Sequence, residues 1–118
     1  MSNKRKTIFL DIDGTILEHK ENLHRMITEE PVVLDSVIDK FLQWRSEGHY
    51  IVLTTARVEG VRRVTEDQLS RLGIFFDQLV MGLTTGPRVL INDTKSDGTI
   101  TALARPLDRN VGLGGIDL

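Results

Sequence analysis

Two carboxylates separated by one residue follow an apolar run near the start of the chain. Asp11 and Asp13 come after Ile8-Phe9-Leu10 and are followed by Gly14 and Thr15. Alternate residues of an extended chain point the same way, so the two carboxylates can converge on one spot. Close negative charges repel unless a cation lies between them, and Mg²⁺ prefers oxygen ligands. The alternative is an acidic turn after a strand, because Asp-Gly is a common turn dipeptide.

Polar residues also follow two later apolar runs. Tyr50-Ile51-Val52-Leu53 leads into Thr55 and Arg57, and residues 88–91 lead into Asn92 and Asp93. Continuous apolar runs are typical of the buried strands of a parallel sheet, whose carboxyl ends meet at one edge. Three such strand ends carrying polar groups favour a site at that edge over a chance acidic turn.

The order of the elements predicts an α/β domain. Apolar residues at the helical period predict one helix between Pro31 and Gly48 and a second over residues 61–72. The strands are predicted at residues 8–11, 50–53, 75–81 and 88–91, with an edge strand at 99–104. This alternation indicates three layers around a mostly parallel sheet. We expect residues 16–30 to form a short flap over the site and residues 108–118 to be a loosely ordered tail.

Composition limits the classes of function. A length of 118 residues predicts a single domain over residues 1–118, and 40% apolar with 27% charged residues is typical of a soluble globular protein. The formal charge of −2 gives no reason to expect a nucleic-acid partner. The chain has no cysteine, which excludes disulfides and thiolate chemistry. No apolar run approaches the ~18 residues of a membrane span. We therefore expect a cytoplasmic protein without a membrane partner, and homo-oligomerisation is left open.

The chain resembles the haloacid dehalogenase (HAD) superfamily of phosphohydrolases. The DxDGT motif of that family is matched by residues 11–15, its later Thr by Thr55, and its acidic motif by Asp93, with Asp97 as a further carboxylate. More closely, the chain is similar to small capless phosphatases associated with capsule and surface-polysaccharide genes, because residues 76–82 follow their YDELIMGKP-type segment.

The resemblance implies a Rossmann-like HAD fold without a cap domain and a Mg²⁺-dependent phosphatase activity. The implied substrate is a small phosphate ester, of which a sugar phosphate is the class suggested. Asp11 would attack phosphorus to form an aspartyl-phosphate, and Asp13 would transfer the protons. The implied metal ligands are Asp11, Asp13, Asp93 and Asp97.

The resemblance also implies residues that hold the phosphoryl group, namely Gly14, Thr15, Thr55, Ala56 and Arg57. Arg57 either contacts substrate or pairs with a carboxylate, and its position at the strand end favours substrate.

Two residues depart from the family pattern. Leu83 stands where the relatives have a catalytic lysine, and Asn92 stands where they have the first acid of a pair. Arg88 is the nearest available cation, either in place of that lysine or as an ordinary surface residue. We expect the change at Leu83 to affect catalysis more than the change at Asn92.

Two alternatives follow. The first is an inactive or weakly active HAD relative that binds a phosphorylated ligand or a protein partner, which Leu83 supports. The second is a receiver-type signalling domain, which needs a phospho-accepting Asp at the end of a central strand. No Asp lies between Lys40 and Glu66, where that residue would be required.

Overall fold

A parallel three-stranded sheet organises the protein. The computed structural model describes residues 4–118, and its sheet has the order β1-β2-β3, with β1 at Thr7–Asp11, β2 at Tyr50–Thr54 and β3 at Gln78–Val80. The helices are α1 at Leu23–Thr28, α2 at Val37–Ser46 and α3 at Arg62–Arg71, the last preceded by a 3₁₀ turn at Glu59–Val61. Asp11 pairs with Thr54 and Thr54 with Val80, so all three strands end at one rim.

One face of the sheet packs against the helices. Alternate strand residues share a hydrophobic core with Val37, Phe41 and Trp44 of α2 and Leu69 of α3. The strand residues in that core are Ile8, Leu10, Ile51, Leu53 and Leu79. Because side chains alternate along a strand and the register is in line, these five residues lie on the same face.

The opposite face of the sheet carries exposed apolar side chains. Phe9 is 57% exposed, and Tyr50 and Val80 are also exposed. Val52 is buried between its neighbours Phe9 and Gln78 on the adjoining strands. Within residues 4–118 no third layer covers this face. The predicted α/β class is therefore confirmed, whereas the predicted three-layer arrangement is not observed.

The first long helix begins later than predicted. Its first residue is Val37, six positions after Pro31. Residues 32–34 are held in extended backbone instead, because the Leu34 amide donates to the Ile16 carbonyl at 3.0 Å and Leu17 bridges Val33 antiparallel. The helix ends before Gly48, as the sequence predicts.

The other early elements agree with the sequence. The strands predicted at 8–11 and 50–53 are present, and α3 occupies residues 62–71 within the predicted range 61–72. The third strand is shorter than the predicted 75–81, because Phe75 and Phe76 pack against the core before the strand begins.

The predicted strands at 88–91 and 99–104 are wrong. Both segments lie outside the sheet, and every residue from 84 to 100 is exposed. For residues 88–91, the physical reason is the length of the connection from β3. A crossover between parallel strands takes about a dozen residues or more, and only residues 81–87 are available here.

The carboxyl-terminal tail is not loosely ordered, which corrects the prediction for residues 108–118. Leu113 and Ile116 are buried in the core, and the Leu113 amide donates to the Asp35 carbonyl at 2.9 Å. Gly112 approaches Asp35 so closely that a Cβ there would lie 2.4 Å from its carbonyl oxygen. Among the described residues, no helix has the length and apolar character needed to cross a membrane.

Candidate functional site

The carboxyl ends of the strands border a cleft of about 480 Å³. The cleft collects residues from the turn after β1, the turn after β2, the α1 region and the loop after β3. Its polar lining residues are Asp11, Asp13, His19, Thr55, Arg57, Thr85, Arg88 and Arg109. A position outside the carboxyl ends of parallel strands is the usual ligand site of open α/β sheets. The rim position predicted from the sequence is therefore where the structure places the acid pair.

A tight turn positions the acid pair. The carbonyl of Ile12 accepts from the amides of Thr15, Ile16 and Leu17, and the Gly14 amide donates to the Leu17 carbonyl at 2.7 Å. Gly14 has a φ of +93°, a conformation that other residues adopt only with strain. The resemblance implies that Gly14 and Thr15 hold the phosphoryl group. In the structure, however, their amides donate within the turn and are not free to bind it.

Arg57 is a buried partner of Asp13. Its Nε and Nη2 donate to the two Asp13 oxygens at 2.9 and 2.8 Å, and its Nη1 donates to Thr65 and Gln68 of α3. The arginine side chain is 2% exposed and the Asp13 side chain 11%. Two roles were open to Arg57, and the structure shows the pairing with a carboxylate. The role that the sequence favoured, contact with substrate, is not seen, because the guanidinium donates to Asp13, Thr65 and Gln68.

Thr55 and Ala56, to which the resemblance assigns phosphoryl binding, both line the cleft. The Thr55 hydroxyl accepts from the Arg57 amide at 3.0 Å, which leaves its own proton to donate into the cleft. The Thr55 amide donates to the Val80 carbonyl, and its carbonyl accepts from the Leu83 amide, so the residue is fixed between β3 and the following loop. A fixed hydroxyl donor at a strand end is suited to hold an anionic oxygen.

Arg88 lies beside Asp11. Its Nη2 is 3.8 Å from Asp11 Oδ1, and its Nη1 donates to the carbonyls of Thr84 and Gly86. Partial desolvation at the cleft raises the pKa of Asp11 above its ordinary value, although its side chain is 47% exposed, and the charge of Arg88 acts in the opposite direction. Arg88 therefore lies at the rim of the cleft, beside one member of the acid pair.

The acidic residues of the later motif lie outside the cleft. Asp97 is exposed and accepts from the amide and hydroxyl of Thr99, which lowers its pKa. Asp93 is also exposed, and its carbonyl accepts from the Thr101 hydroxyl. In the described chain no three carboxylate or imidazole side chains gather to hold a metal ion. The predicted Mg²⁺ ligands Asp11, Asp13, Asp93 and Asp97 are therefore not brought together within one chain, and these residues alone do not fit the ion.

Sequence reasoning missed several residues that line the cleft, among them Arg109, His19 and Met26. Arg109 comes from the tail, and its Cγ is 3.3 Å from the position of a Cβ on Gly14. His19 is fixed through its amide, which donates to the Asn110 side chain at 2.7 Å. Met26 lies on the flap, which is tied to α3 because the Gln68 side chain donates to the Met26 carbonyl. Arg109 reaches the cleft because the tail folds back onto Gly14, and no spacing pattern in the sequence predicts that contact.

A second cleft, of about 570 Å³, lies at the amino ends of the strands. Its polar groups are engaged in holding the sheet together. Asp77 accepts from the Ile51 amide at 2.7 Å, and His49 Nδ1 accepts from the Lys6 amide at 2.9 Å. Asp77 and His49 therefore have a structural role in this second cleft, and we assign no chemistry to it.

Comparison with known proteins gives a structural likeness. No protein-family model matches the chain, and no curated protein matches it. A crystal structure of an MCSG target from Vibrio cholerae is similar, with a TM-score of 0.55 and 18% sequence identity over 75% of this chain and 80% of that one. At that identity the likeness shows the fold alone, a small α/β domain built on a parallel sheet.

Proposed function

We propose that the protein is a phosphohydrolase that cleaves a small phosphate ester through an aspartyl-phosphate on Asp11. The observation that carries this proposal is the gathering of Asp11, Asp13, Thr55 and Arg88 around one cleft at the carboxyl ends of parallel strands. The HAD resemblance assigns the same chemistry to the first three of these residues.

In the first step, an Asp11 carboxylate oxygen attacks phosphorus and forms a P–O bond. The ester P–O bond breaks, and the leaving oxygen takes a proton from Asp13. In this proposal, the Thr55 hydroxyl and the Arg88 guanidinium, which both line the cleft, stabilise the charge on the transferred group.

In the second step, water attacks the phosphorus of the aspartyl-phosphate and Asp13 takes a proton from that water. The bond between phosphorus and Asp11 breaks, and inorganic phosphate leaves with the carboxylate regenerated. Because Arg57 donates to both oxygens of Asp13, this ion pair must loosen when Asp13 carries the proton. Arg57 is therefore a positioning residue in the proposal.

Mg²⁺ belongs to the proposal as the ion that the resemblance implies. When bound, it would neutralise negative charge between the phosphate and Asp11. Asp11 and the main-chain carbonyl of Asp13 are the groups at the rim that would hold it, and one chain supplies no third acid there among the described residues. The proposed setting is the cytoplasm, in keeping with a chain that has no cysteine.

The substrate class is a sugar phosphate or a similarly small ester, as in the surface-polysaccharide pathways of the resembling phosphatases. The test is phosphate release from a panel of sugar phosphates, nucleotides and phosphopeptides, each with and without Mg²⁺. We expect the sugar phosphates to be the best substrates. A clear preference for nucleotides or phosphopeptides would overturn the assignment of substrate.

A second candidate is a non-catalytic protein that binds a phosphorylated ligand. Besides Arg57, which is paired with Asp13, the arginines Arg88 and Arg109 line the cleft, whereas Asp93 and Asp97 lie outside it. These observations suit anion binding without metal-dependent hydrolysis. Phosphate release from no ester, together with binding of a sugar phosphate by calorimetry, would favour this candidate.

A further inference from the structure

Strand β1 has no strand on its outer side. In residues 4–118 it is the first strand of the sheet and pairs only with β2, although it carries the acid pair at its end. An edge strand presents backbone N–H and C=O groups that can pair with another chain. The exposed side chain of Phe9 adds an apolar surface beside this edge. The strand on which the site depends is therefore open to a partner strand.

A long exposed segment follows the rim. Residues 88–104, here called the arm, form a hairpin-like loop closed by the Lys95 amide donating to the Thr99 carbonyl at 3.0 Å. Val89 is 81% exposed and Ile91 88% exposed, and the other exposed apolar residues are Leu90, Ile100 and Leu103. Residues of this type are favoured in strands, and clustered exposed apolar groups mark an interaction surface.

The arm extends the molecule. The principal extents are 49, 28 and 25 Å, and the radius of gyration is 14.9 Å. A compact chain of 118 residues has a radius of gyration of about 13.5 Å. The molecule is therefore more extended than a compact domain of its length, and the apolar side chains of the arm are exposed.

The connection from β3 prevents the arm from pairing in parallel with its own β1. The Gly82 and Leu83 amides are bonded at the rim, to the carbonyls of Arg57 and Thr55, and Arg88 is still at the rim beside Asp11. A strand parallel to β1 must begin at the opposite end of the sheet, about 16 Å away for a strand of five residues. A second copy of the chain escapes this restriction, because exchange of an identical segment needs no crossover.

We propose that the protein is a dimer in which residues 89–91 of each arm pair with the free edge of β1 in the other copy. Asp93, two residues beyond Ile91, is thereby carried to the carboxyl end of that strand, beside Asp11 of the other copy. Each cleft gains from the second chain the carboxylate that its own chain places outside it. For the role of Asp93 as a metal ligand, this inference rests on the proposed function.

The first test is the oligomeric state, measured by light scattering over a range of concentrations. Wild type should be a dimer. Ile91→Asp should be a monomer with an unchanged circular dichroism spectrum, because its exposed side chain makes no core contact in its own chain. Leu42→Asp is the matched control, an exposed apolar residue on α2, and it should remain a dimer. A monomeric wild type, or a dimeric Ile91→Asp, would overturn the proposal.

The second test asks whether Asp11 and Asp93 act across two copies. Asp11→Asn and Asp93→Asn chains with different tags are co-expressed, and the mixed dimer is isolated. One of its two clefts then has an intact Asp11 from one chain and an intact Asp93 from the other, so about half of the wild-type activity is expected. If both residues served the same chain, the mixed dimer would be as inactive as either parent.

A measurement without substrate separates this inference from the proposed function. Mn²⁺ is the probe, and its binding is followed by electron paramagnetic resonance. Wild type should bind Mn²⁺, and both Asp93→Asn and Ile91→Asp should lose that binding. If wild type hydrolyses no ester, the proposed function fails. The oligomeric state and Mn²⁺ binding still test whether the arm of each copy pairs with β1 of the other. Full Mn²⁺ binding by the monomeric Ile91→Asp would refute the contribution of the second copy.

Discussion

Arg57 donates two hydrogen bonds to the carboxylate of Asp13, from Nε at 2.9 Å and from Nη2 at 2.8 Å. Arg57 lies between β2 and α3 in the chain. The same guanidinium donates to Thr65 and Gln68, which are buried on α3. Gln68 in turn donates to the flap at Met26. One buried arginine thus joins the acid pair to the helix and, through that helix, to the flap over the cleft.

Removal of this arginine should be costly for folding. Arg57→Ala leaves Asp13 as a largely buried carboxylate without its partner, and breaking a buried ion pair costs about 3–5 kcal/mol. Urea denaturation should show a loss of that size in the free energy of unfolding. Arg63→Ala, at an exposed position on α3, is the control and should change it by no more than about 0.5 kcal/mol. A loss at Arg57 as small as that of the control would mean that the pair does not anchor the site.

Arg88 should matter for turnover and little for stability. Loss of a cation directed at the transferred group typically lowers kcat by about 10²–10³-fold. Both side chains of the pair with Asp11 are more than 40% exposed, at 42% and 47%, and exposed pairs contribute about 0–1 kcal/mol. Arg88→Ala should therefore melt like wild type while losing activity. Arg71→Ala, another exposed arginine, should keep full activity. An Arg88→Ala enzyme with an unchanged kcat would make Arg88 a bystander.

A side chain at Gly14, in the turn after β1, should lower the stability of the protein. A Cβ there would lie 3.3 Å from Arg109 Cγ, and the φ of +93° is itself strained for any other residue. Gly14→Ala should therefore lower the free energy of unfolding by about 1–2 kcal/mol. Gly60→Ala is the matched control, because a Cβ there meets nothing within 4 Å, and it should be neutral or stabilising by up to about 1 kcal/mol. Equal melting temperatures for the two variants would contradict the assigned turn.

The carboxyl group of Asp11 should titrate above the ordinary range for aspartate. Burial raises its pKa, Asp13 adds to that rise, and Arg88, the Ile12 amide and His19 oppose it. Removal of the Arg88 charge removes an influence that lowers the pKa, so the pKa should rise further in Arg88→Ala. Carboxyl carbon chemical shifts of the metal-free protein, followed through a pH titration, measure both values.

The direction of that shift also sets a stability expectation. Because the folded state favours the protonated form of Asp11, stability is lost as the pH rises through the folded pKa. Asp11→Asn removes this loss and should melt no lower than wild type at neutral pH. A pKa of Asp11 below the ordinary range would contradict both expectations.

The chain up to β3 was largely predictable from its sequence, whereas the part that follows β3 was not. The runs before Asp11 and Thr55 are apolar enough to be recognised as buried strands, and the register between them follows once they are adjacent. The run at 88–91 has the same composition but lacks the connection length that a parallel neighbour of β1 requires. The strand at 88–91 was predicted from its apolar composition alone, without regard to the length of the connection that precedes it.

Site residues were predicted where their role depends on position along a strand. Asp11, Asp13 and Thr55 fall in this group, and all three line the cleft. The partner of Arg57 depends on tertiary packing against α3, and the arrival of Arg109 depends on the tail returning to Gly14. Spacing in the sequence carries neither kind of information.

The central claim is that Asp11 becomes phosphorylated during turnover. Wild type, Asp11→Asn and the control Asp67→Asn, an exposed carboxylate on α3, are mixed with a generic aryl phosphate and Mg²⁺ and quenched in acid. Mass spectrometry of the digested protein then locates any phosphoryl group. We predict phosphate release and a phosphorylated Asp11 peptide in wild type and Asp67→Asn, and neither in Asp11→Asn. Hydrolysis that persists in Asp11→Asn would contradict the account.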